Sequence, residues 1–225
     1  MNITEYLGDW TKVMDLDKLT TILHKLSLEY RTKDIAPKQS DIFKAFKLCP
    51  LDKLKVVMLF QDPYPQKGVA TGIALGNSTN TPEQELSPSL KIVKEAAINF
   101  EIPHYSIIFD NTLESWARQG ILMLNSALTV EVNRIGSHTM LWRPFISSLI
   151  QNLSNYRTDL IFVLFGRQAQ SFKPYISRYF NYVLEIEHPA YFARNNKRMP
   201  VEFFSNLNCL VEQCYKESIK WYNEY

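Results

Sequence analysis

Four short apolar runs punctuate the chain, at Lys55–Phe60, Ile121–Leu124, Leu160–Phe165 and Tyr182–Ile186. Each is apolar and short enough for a buried strand, and the first carries two β-branched residues, so each predicts a strand. Between them, apolar residues recur at helical spacing over Ser89–Phe100, Thr112–Arg118, Pro144–Leu153 and Ala169–Tyr179. Upstream, Leu19, Ile22, Leu23 and Leu26 predict an amphipathic helix within Asp17–Tyr30. Asp41 is placed to cap a second helix through Ile42, Phe43, Ala45 and Phe46, which must end before Pro50. A last helix is predicted over Phe203–Trp221. Strands alternating with helices at this spacing predict an α/β fold: one domain, three layers deep (α/β/α), around a central, mostly parallel four-stranded sheet. With no repeat, low-complexity tract or Gly/Ser linker, residues 1–225 are expected to form that domain, with an N-terminal helical extension over about residues 1–50.

Composition narrows this only slightly. With 46% hydrophobic residues in 225, a sizeable core is available. A formal charge of +2 neither demands nor excludes a polyanionic partner, because phosphate binding depends on where charge sits. The three cysteines, Cys49, Cys209 and Cys214, form no Cys-x-x-Cys pair. That argues against a disulfide framework, an iron–sulfur cluster or a structural zinc site, and for ordinary thiols in a reducing compartment. The N-terminus lacks a basic and apolar leader and no run reaches membrane-spanning length, so a soluble, cytoplasmic protein is expected.

The chemistry gathers where the strands stop. Val56-Val57-Met58-Leu59-Phe60 runs into Gln61-Asp62-Pro63-Tyr64-Pro65, where two prolines fix φ and remove backbone donors. A carboxylate is thus set on a stiff turn at the end of a core strand. The second run ends in Asn125-Ser126-Ala127-Leu128-Thr129, the third in Gly166-Arg167-Gln168-Ala169-Gln170, the fourth in Glu187-His188-Pro189-Ala190. In a parallel sheet these ends face one crevice, so Asp62, Asn125 and His188 can converge there. Singly, each has a plain structural explanation: Asp before Pro is common in turns, Asn125 could cap a turn, His188 could be a core histidine and Tyr64 ordinary packing.

Gln61-Asp62-Pro63-Tyr64, Leu122-Met123-Leu124-Asn125-Ser126-Ala127-Leu128-Thr129-Val130 and His188-Pro189 resemble, in order and spacing, the three signature segments of family 1 uracil-DNA glycosylases. Ile42–Phe46 with Pro50–Val57, Pro88-Ser89-Leu90, Trp116–Gly120, Gly136-Ser137-His138 with Trp142, and Gly166 with Ala169-Gln170 extend the resemblance from Ile42 to Phe204. It implies a DNA repair enzyme that flips uracil out of the stack and hydrolyses its N-glycosidic bond without metal or organic cofactor, leaving an abasic site. Asp62 and His188 would be catalytic, the first for the attacking water and cationic sugar, the second as donor to a uracil oxygen. Asn125 would read the pyrimidine edge, Tyr64 exclude the thymine methyl, Gln61 offer backbone contacts and Leu75 line the base site. Ser89, Ser137 and Gly166 would face phosphates, with Arg167 and Arg194 as charges and Phe192 as an apolar wedge in the duplex. Lys197 and Arg198 follow Arg194 and could also contact phosphates. The partner implied is uracil-containing DNA, and the chain is expected to be monomeric; a protein inhibitor of uracil-DNA glycosylases is a further partner that the resemblance allows.

The chain departs from the family pattern at several places, one being Arg167, where the family has a serine beside the glycine. Pro65 stands where the family has histidine, Leu75 where it has an aromatic, and Ala190-Tyr191 where it has serine and proline. Those changes leave two rivals open: a DNA-binding module without useful catalysis, and a glycosylase for another altered base.

Overall fold

The computed structural model describes residues 3–100 and 106–224. Its central sheet comprises β1 (Val56–Phe60), β2 (Ile121–Asn125), β3 (Ile161–Phe165) and β4 (Tyr182–Ile186), in the spatial order β2-β1-β3-β4. Every neighbouring pair is parallel, and the register sets Val56 beside Ile121 and Ile161, and Phe60 beside Asn125. All four predicted strands are present. The fully apolar run of β1 is explained by its place: it lies inside the sheet with helices over both faces, and none of its residues is more than 1% exposed.

The two-residue period of a strand divides the core in two. Val57, Leu59, Leu122, Leu124, Phe162 and Leu164 enter one cluster. Val56, Met58, Phe60, Ile121, Met123, Ile161, Val163 and Phe165 enter the other. The helices are α1 (Ile3–Leu7), α2 (Leu16–Glu29), α3 (Lys44–Leu48), α4 (Pro88–Ile98), α5 (Glu114–Arg118), α6 (Thr139–Tyr156), α7 (Gly166–Gln170), α8 (Pro189–Arg194) and α9 (Glu202–Tyr215). Helices α2, α3 and α6 cover the first face through Leu19, Leu26, Phe46, Trp142, Phe145 and Leu149. Helices α4, α5 and α9 cover the second through Leu90, Val93, Trp116, Phe204 and Leu207. Each such side chain, fully buried, contributes about 1.5–3 kcal/mol. The layering is the expected three-layer α/β/α.

Helix boundaries differ from expectation for identifiable reasons. Helix α2 starts earlier, because the Asp15 carboxylate caps it by accepting the Lys18 N–H at 3.1 Å. Helix α6 starts at Thr139, so Pro144 lies inside it rather than at its first turn. The helix expected over Ala169–Tyr179 is instead the five-residue α7 followed by a 3-10 turn at Lys173–Tyr175. Pro174 cannot donate and its ring would meet the Gln170 carbonyl. Helix α9 stops at Tyr215, where Lys216 turns to a left-handed φ of +58°.

The N-terminal segment packs onto the sheet rather than beside it. Leu7, Trp10, Leu19 and Phe46 belong to the same cluster as Val57 and Leu124. Ile35–Ala36 also forms a two-residue antiparallel ladder with Val130–Glu131, just beyond β2. No helix among the described residues is long and apolar enough to cross a membrane.

Candidate active site

At the carboxyl ends of β1, β2 and β4 lies a cavity of about 320 Å³, and Asp62, Asn125 and His188 all line it. Gln61, Tyr64, Leu75, Ser89 and Arg194 line it too. The parallel sheet thus brings together residues that are at least 63 positions apart in sequence, the separation of both Asp62 from Asn125 and Asn125 from His188.

The turn after β1 is locked to the turn after β2. The Gln61 carbonyl accepts the Ala127 N–H at 3.1 Å and the Ser126 hydroxyl at 2.9 Å, and the Phe60 carbonyl accepts the Ser126 N–H at 2.9 Å. That carbonyl of Gln61 is therefore committed to the framework. The Gln61 side chain donates from Nε2 to Asp62 Oδ2 at 3.2 Å. The same oxygen accepts the Gly136 N–H at 2.9 Å. Asp62 Oδ1 is shielded from solvent and has no partner among the described residues. Burial raises the Asp62 pKa above the usual carboxylate range, and the bonds from Gly136 and Gln61 only partly oppose this. A half-satisfied, desolvated carboxylate is a strong acceptor for a water proton and a ready counter-charge for a cation.

His188 has the opposite requirement and meets it. Its Nδ1 accepts the Ala190 N–H at 3.1 Å. A backbone N–H can only donate, so Nδ1 holds the lone pair and the single ring proton of the neutral imidazole sits on Nε2. Burial, reinforced by the Arg194 charge, pushes the His188 pKa down to about 4, so the ring is neutral at pH 7. Gly166, with φ +78°, makes room: a Cβ there would fall 2.8 Å from the His188 Cβ. Gly166 is buried against the histidine, which is a positioning duty distinct from the phosphate contact expected of it.

Tyr64 and Leu75 form one wall. Leu75 is buried with a left-handed φ of +64°, a conformation that costs an ordinary L-residue about 1–2 kcal/mol. It turns its carbonyl to accept the Tyr64 hydroxyl at 3.0 Å, which fixes the phenol. The side chain of Asn125 has no hydrogen-bond partner among the described residues, so its amide is available to a ligand.

The residues expected to meet DNA are placed unequally. Ser89 is buried in the first turn of α4 yet reaches the cavity. Ser137 turns its hydroxyl inward, accepting the Glu131 N–H at 2.8 Å. Arg167 is exposed at the start of α7, and Arg194 is exposed at the end of α8, where its Nε donates to the Ala190 carbonyl at 3.2 Å. Lys197 lies over the Tyr191 ring, 5.5 Å from its centre, and Arg198 pairs with Glu95 at 3.1 Å.

Phe192, expected as an apolar wedge, is buried in this structure. It is only 8% exposed and belongs to the core cluster beneath β1 and β3, with the Tyr191 ring 5.6 Å away. The short helix α8 turns this ring inward, where burial of a large apolar surface outweighs presenting it to solvent. In this structure Phe192 is not an exposed wedge.

Two further contributors lie in the Gly136-Ser137-His138 segment, which the resemblance included without assigning either of them a role. Gly136 acts through its backbone N–H, which no residue code announces. His138 sits at the centre of a buried chain: Trp142 Nε1 donates to Thr129 Oγ1 at 2.7 Å, Thr129 Oγ1 lies 2.8 Å from His138 Nδ1, and His138 Nε2 lies 3.1 Å from Glu29 Oε2. Burial holds His138 below the ordinary histidine pKa, so Nε2–H donates to Glu29 and Nδ1 accepts from Thr129. The chain pins the segment that carries Gly136. No group of three or more His, Cys, Asp or Glu side chains among the described residues is gathered to hold a metal ion.

Known proteins resemble this chain in sequence and fold. The sequence profile described as the Uracil DNA glycosylase superfamily matches residues 46–212. A uracil-DNA glycosylase of Mycoplasmopsis pulmonis is 38% identical over 198 residues, covering 87% of this chain and 86% of its own. One from Yersinia pestis is 35% identical over 190 residues, covering 84% and 82%. A variant of mimivirus UNG, solved in complex with UGI, superposes with a TM-score of 0.77 at 26% identity, covering 91% of this chain and 82% of that one. With its profile match spanning most of the sequence and both relatives above a third identical, this chain belongs to the Uracil DNA glycosylase superfamily.

Proposed function

We propose that the protein is a monofunctional uracil-DNA glycosylase, which hydrolyses the N-glycosidic bond of uracil in DNA and leaves an abasic site. The observation that carries this reading is the convergence of an under-satisfied carboxylate, an unpartnered amide and a neutral imidazole on one cavity. Each answers one need of the reaction. As the bond breaks, positive charge grows on the sugar and negative charge on the uracil ring. Asp62 faces the first, orienting the attacking water and taking up its proton. His188 faces the second, donating its Nε2–H to the uracil oxygen that becomes anionic. Asn125 donates to O4 and accepts from N3–H, the reverse of what cytosine presents. Tyr64, held by the Leu75 carbonyl, closes the space beside C5 and so excludes thymine. Leu75 gives the base an apolar but not aromatic wall, which lowers affinity relative to base–aromatic stacking, worth about 1–3 kcal/mol. On the same reading, Ser89, Arg167 and Arg194 meet the phosphates. The mimivirus relative is solved in complex with UGI, and a protein inhibitor of that kind is a further partner on this reading.

Release of uracil from a single-stranded oligonucleotide at low salt, beside an Asp62→Asn control, tests the proposal. Release that depends on Asp62 is the expected result. Binding without release would sink it and favour a DNA-binding module, or a different base that a panel of damaged oligonucleotides would identify.

A further inference from the structure

Among the described residues, the large apolar side chains left well exposed are Leu28, Ile108, Ile135, Met140, Tyr156, Tyr179 and Phe180. Isolated exposed hydrophobic residues are ordinary and carry no meaning by themselves. Ile135 differs in one respect: it alone of that set also lines the cavity that holds Asp62. It is 70% exposed, so an aliphatic side chain stands in solvent at the mouth of a site whose other apolar lining residues are buried or partly buried.

The backbone under Ile135 is fixed on both sides. Asn133 N–H donates to the Pro65 carbonyl at 2.9 Å, just past the Asp62 turn. Gly136 N–H, the next residue after Ile135, donates to Asp62 itself at 2.9 Å. The Ser137 N–H donates to the Arg134 carbonyl at 3.1 Å, and the Ser137 hydroxyl accepts from Glu131 at 2.8 Å. Ile135 is therefore neither a frayed loop tip nor a residue on its way into the core. It is a branched, stiff side chain held at a fixed distance from the reacting carboxylate. At the other flank, Phe192 is buried and offers no comparable surface.

Resting on the reading that the cavity receives a flipped nucleotide, we propose that Ile135 is an apolar contact for the DNA strand at the mouth of the site. Its aliphatic face packs on the base or sugar adjoining the flipped uridine, and the contact helps hold the strand once the uridine has left the stack. The loop 131–138 is then a DNA-binding element through Ile135, while its serine serves the fold.

The test uses the whole protein with Ile135→Ser, Ile135→Leu and Ile135→Trp. Uracil release and the anisotropy of a labelled uracil-containing single-stranded oligonucleotide are both measured. Because the side chain is mostly exposed, all three variants should melt with the wild type. Ile135→Ser should raise KM and the dissociation constant about fivefold to tenfold, as expected for a lost aliphatic contact, with kcat within about twofold. Ile135→Leu should restore both, and Ile135→Trp should bind at least as tightly as wild type. If Ile135→Ser leaves KM and binding unchanged, the contact does not exist. If it lowers kcat alone, Ile135 acts on Asp62 through the loop and not on DNA, which also overturns the proposal. Should the wild type release no uracil, the functional reading fails separately, and the binding comparison still decides whether Ile135 touches DNA.

Discussion

The two flanks of the cavity are built on one plan and differ in a single choice. On one side, the loop 131–138 uses the Gly136 N–H to hold Asp62; on the other, α8 uses the Ala190 N–H to set the tautomer of His188. Each flank thus orients one of the two groups that, on the proposed reading, face developing charge. Each also carries a large apolar residue, but the loop turns Ile135 out to solvent while the helix turns Phe192 into the core. The difference teaches that a motif position fixes where a residue stands along the chain, not which way it faces. The helical repeat of α8 decides that for Phe192, and a cross-bonded turn decides it for Ile135.

The largest effect should come from the carboxylate. Asp62→Asn should lower single-turnover uracil release by about 10²–10⁴. Since burial raises the Asp62 pKa, its ionised form is the one the folded state disfavours. The amide should therefore melt no lower than wild type at pH 7. A clear fall in Tm would mean that the side chain is structural first.

His188→Ala should cost about 10²–10³, the usual loss of a donor to a developing anion. The two flanks should also separate by pH. Release should fall on acidification with a midpoint above the free-carboxylate value of about 3.9, through protonation of Asp62. His188 should stay neutral, with its proton on Nε2, until about pH 4. An NMR titration of His188 centred near 6.5, or a proton found on Nδ1, would refute the role given to the Ala190 N–H.

Phe192→Ala tests the inward choice. It should lower stability by about 3–5 kcal/mol, as for other buried aromatics, and lower activity on single and double strands alike. Unchanged stability with a loss confined to duplex DNA would show Phe192 facing outward and break the comparison. The smallest effect is expected of Tyr64→Phe, which removes the bond to the Leu75 carbonyl, worth about 1 kcal/mol. Thymine should remain excluded by the ring but uracil release should slow slightly; thymine release by this variant would show that the hydroxyl, not the ring, sets the gate.

Strand positions were legible in the sequence because a strand buried on both faces has no polar positions to blur it, as β1 shows. The convergence of Asp62, Asn125 and His188 followed from parallel strands alone. What escaped was whatever lies in the backbone or in orientation. The Gly136 N–H carries no side-chain signal. The left-handed turn of Leu75 is set by its surroundings, since nothing in a leucine predicts it. Phe192 and Ile135 are equally apolar in a sequence, and only packing tells which is inside. The expected helix beyond Ala169 failed for a readable reason, Pro174, which outweighed the apolar spacing around it.

The buried chain from Trp142 through Thr129 and His138 to Glu29 has a practical consequence. Residues 46–212, the span shared with the superfamily, contain every side chain assigned to base removal. They do not contain Glu29, nor Ile35 and Ala36, which brace the start of the loop bearing Gly136. A protein trimmed to that span would keep the whole chemical signature and lose the anchor of one of its two flanks. The shortest stretch that is recognisable as a glycosylase is therefore shorter than the shortest stretch that should work as one.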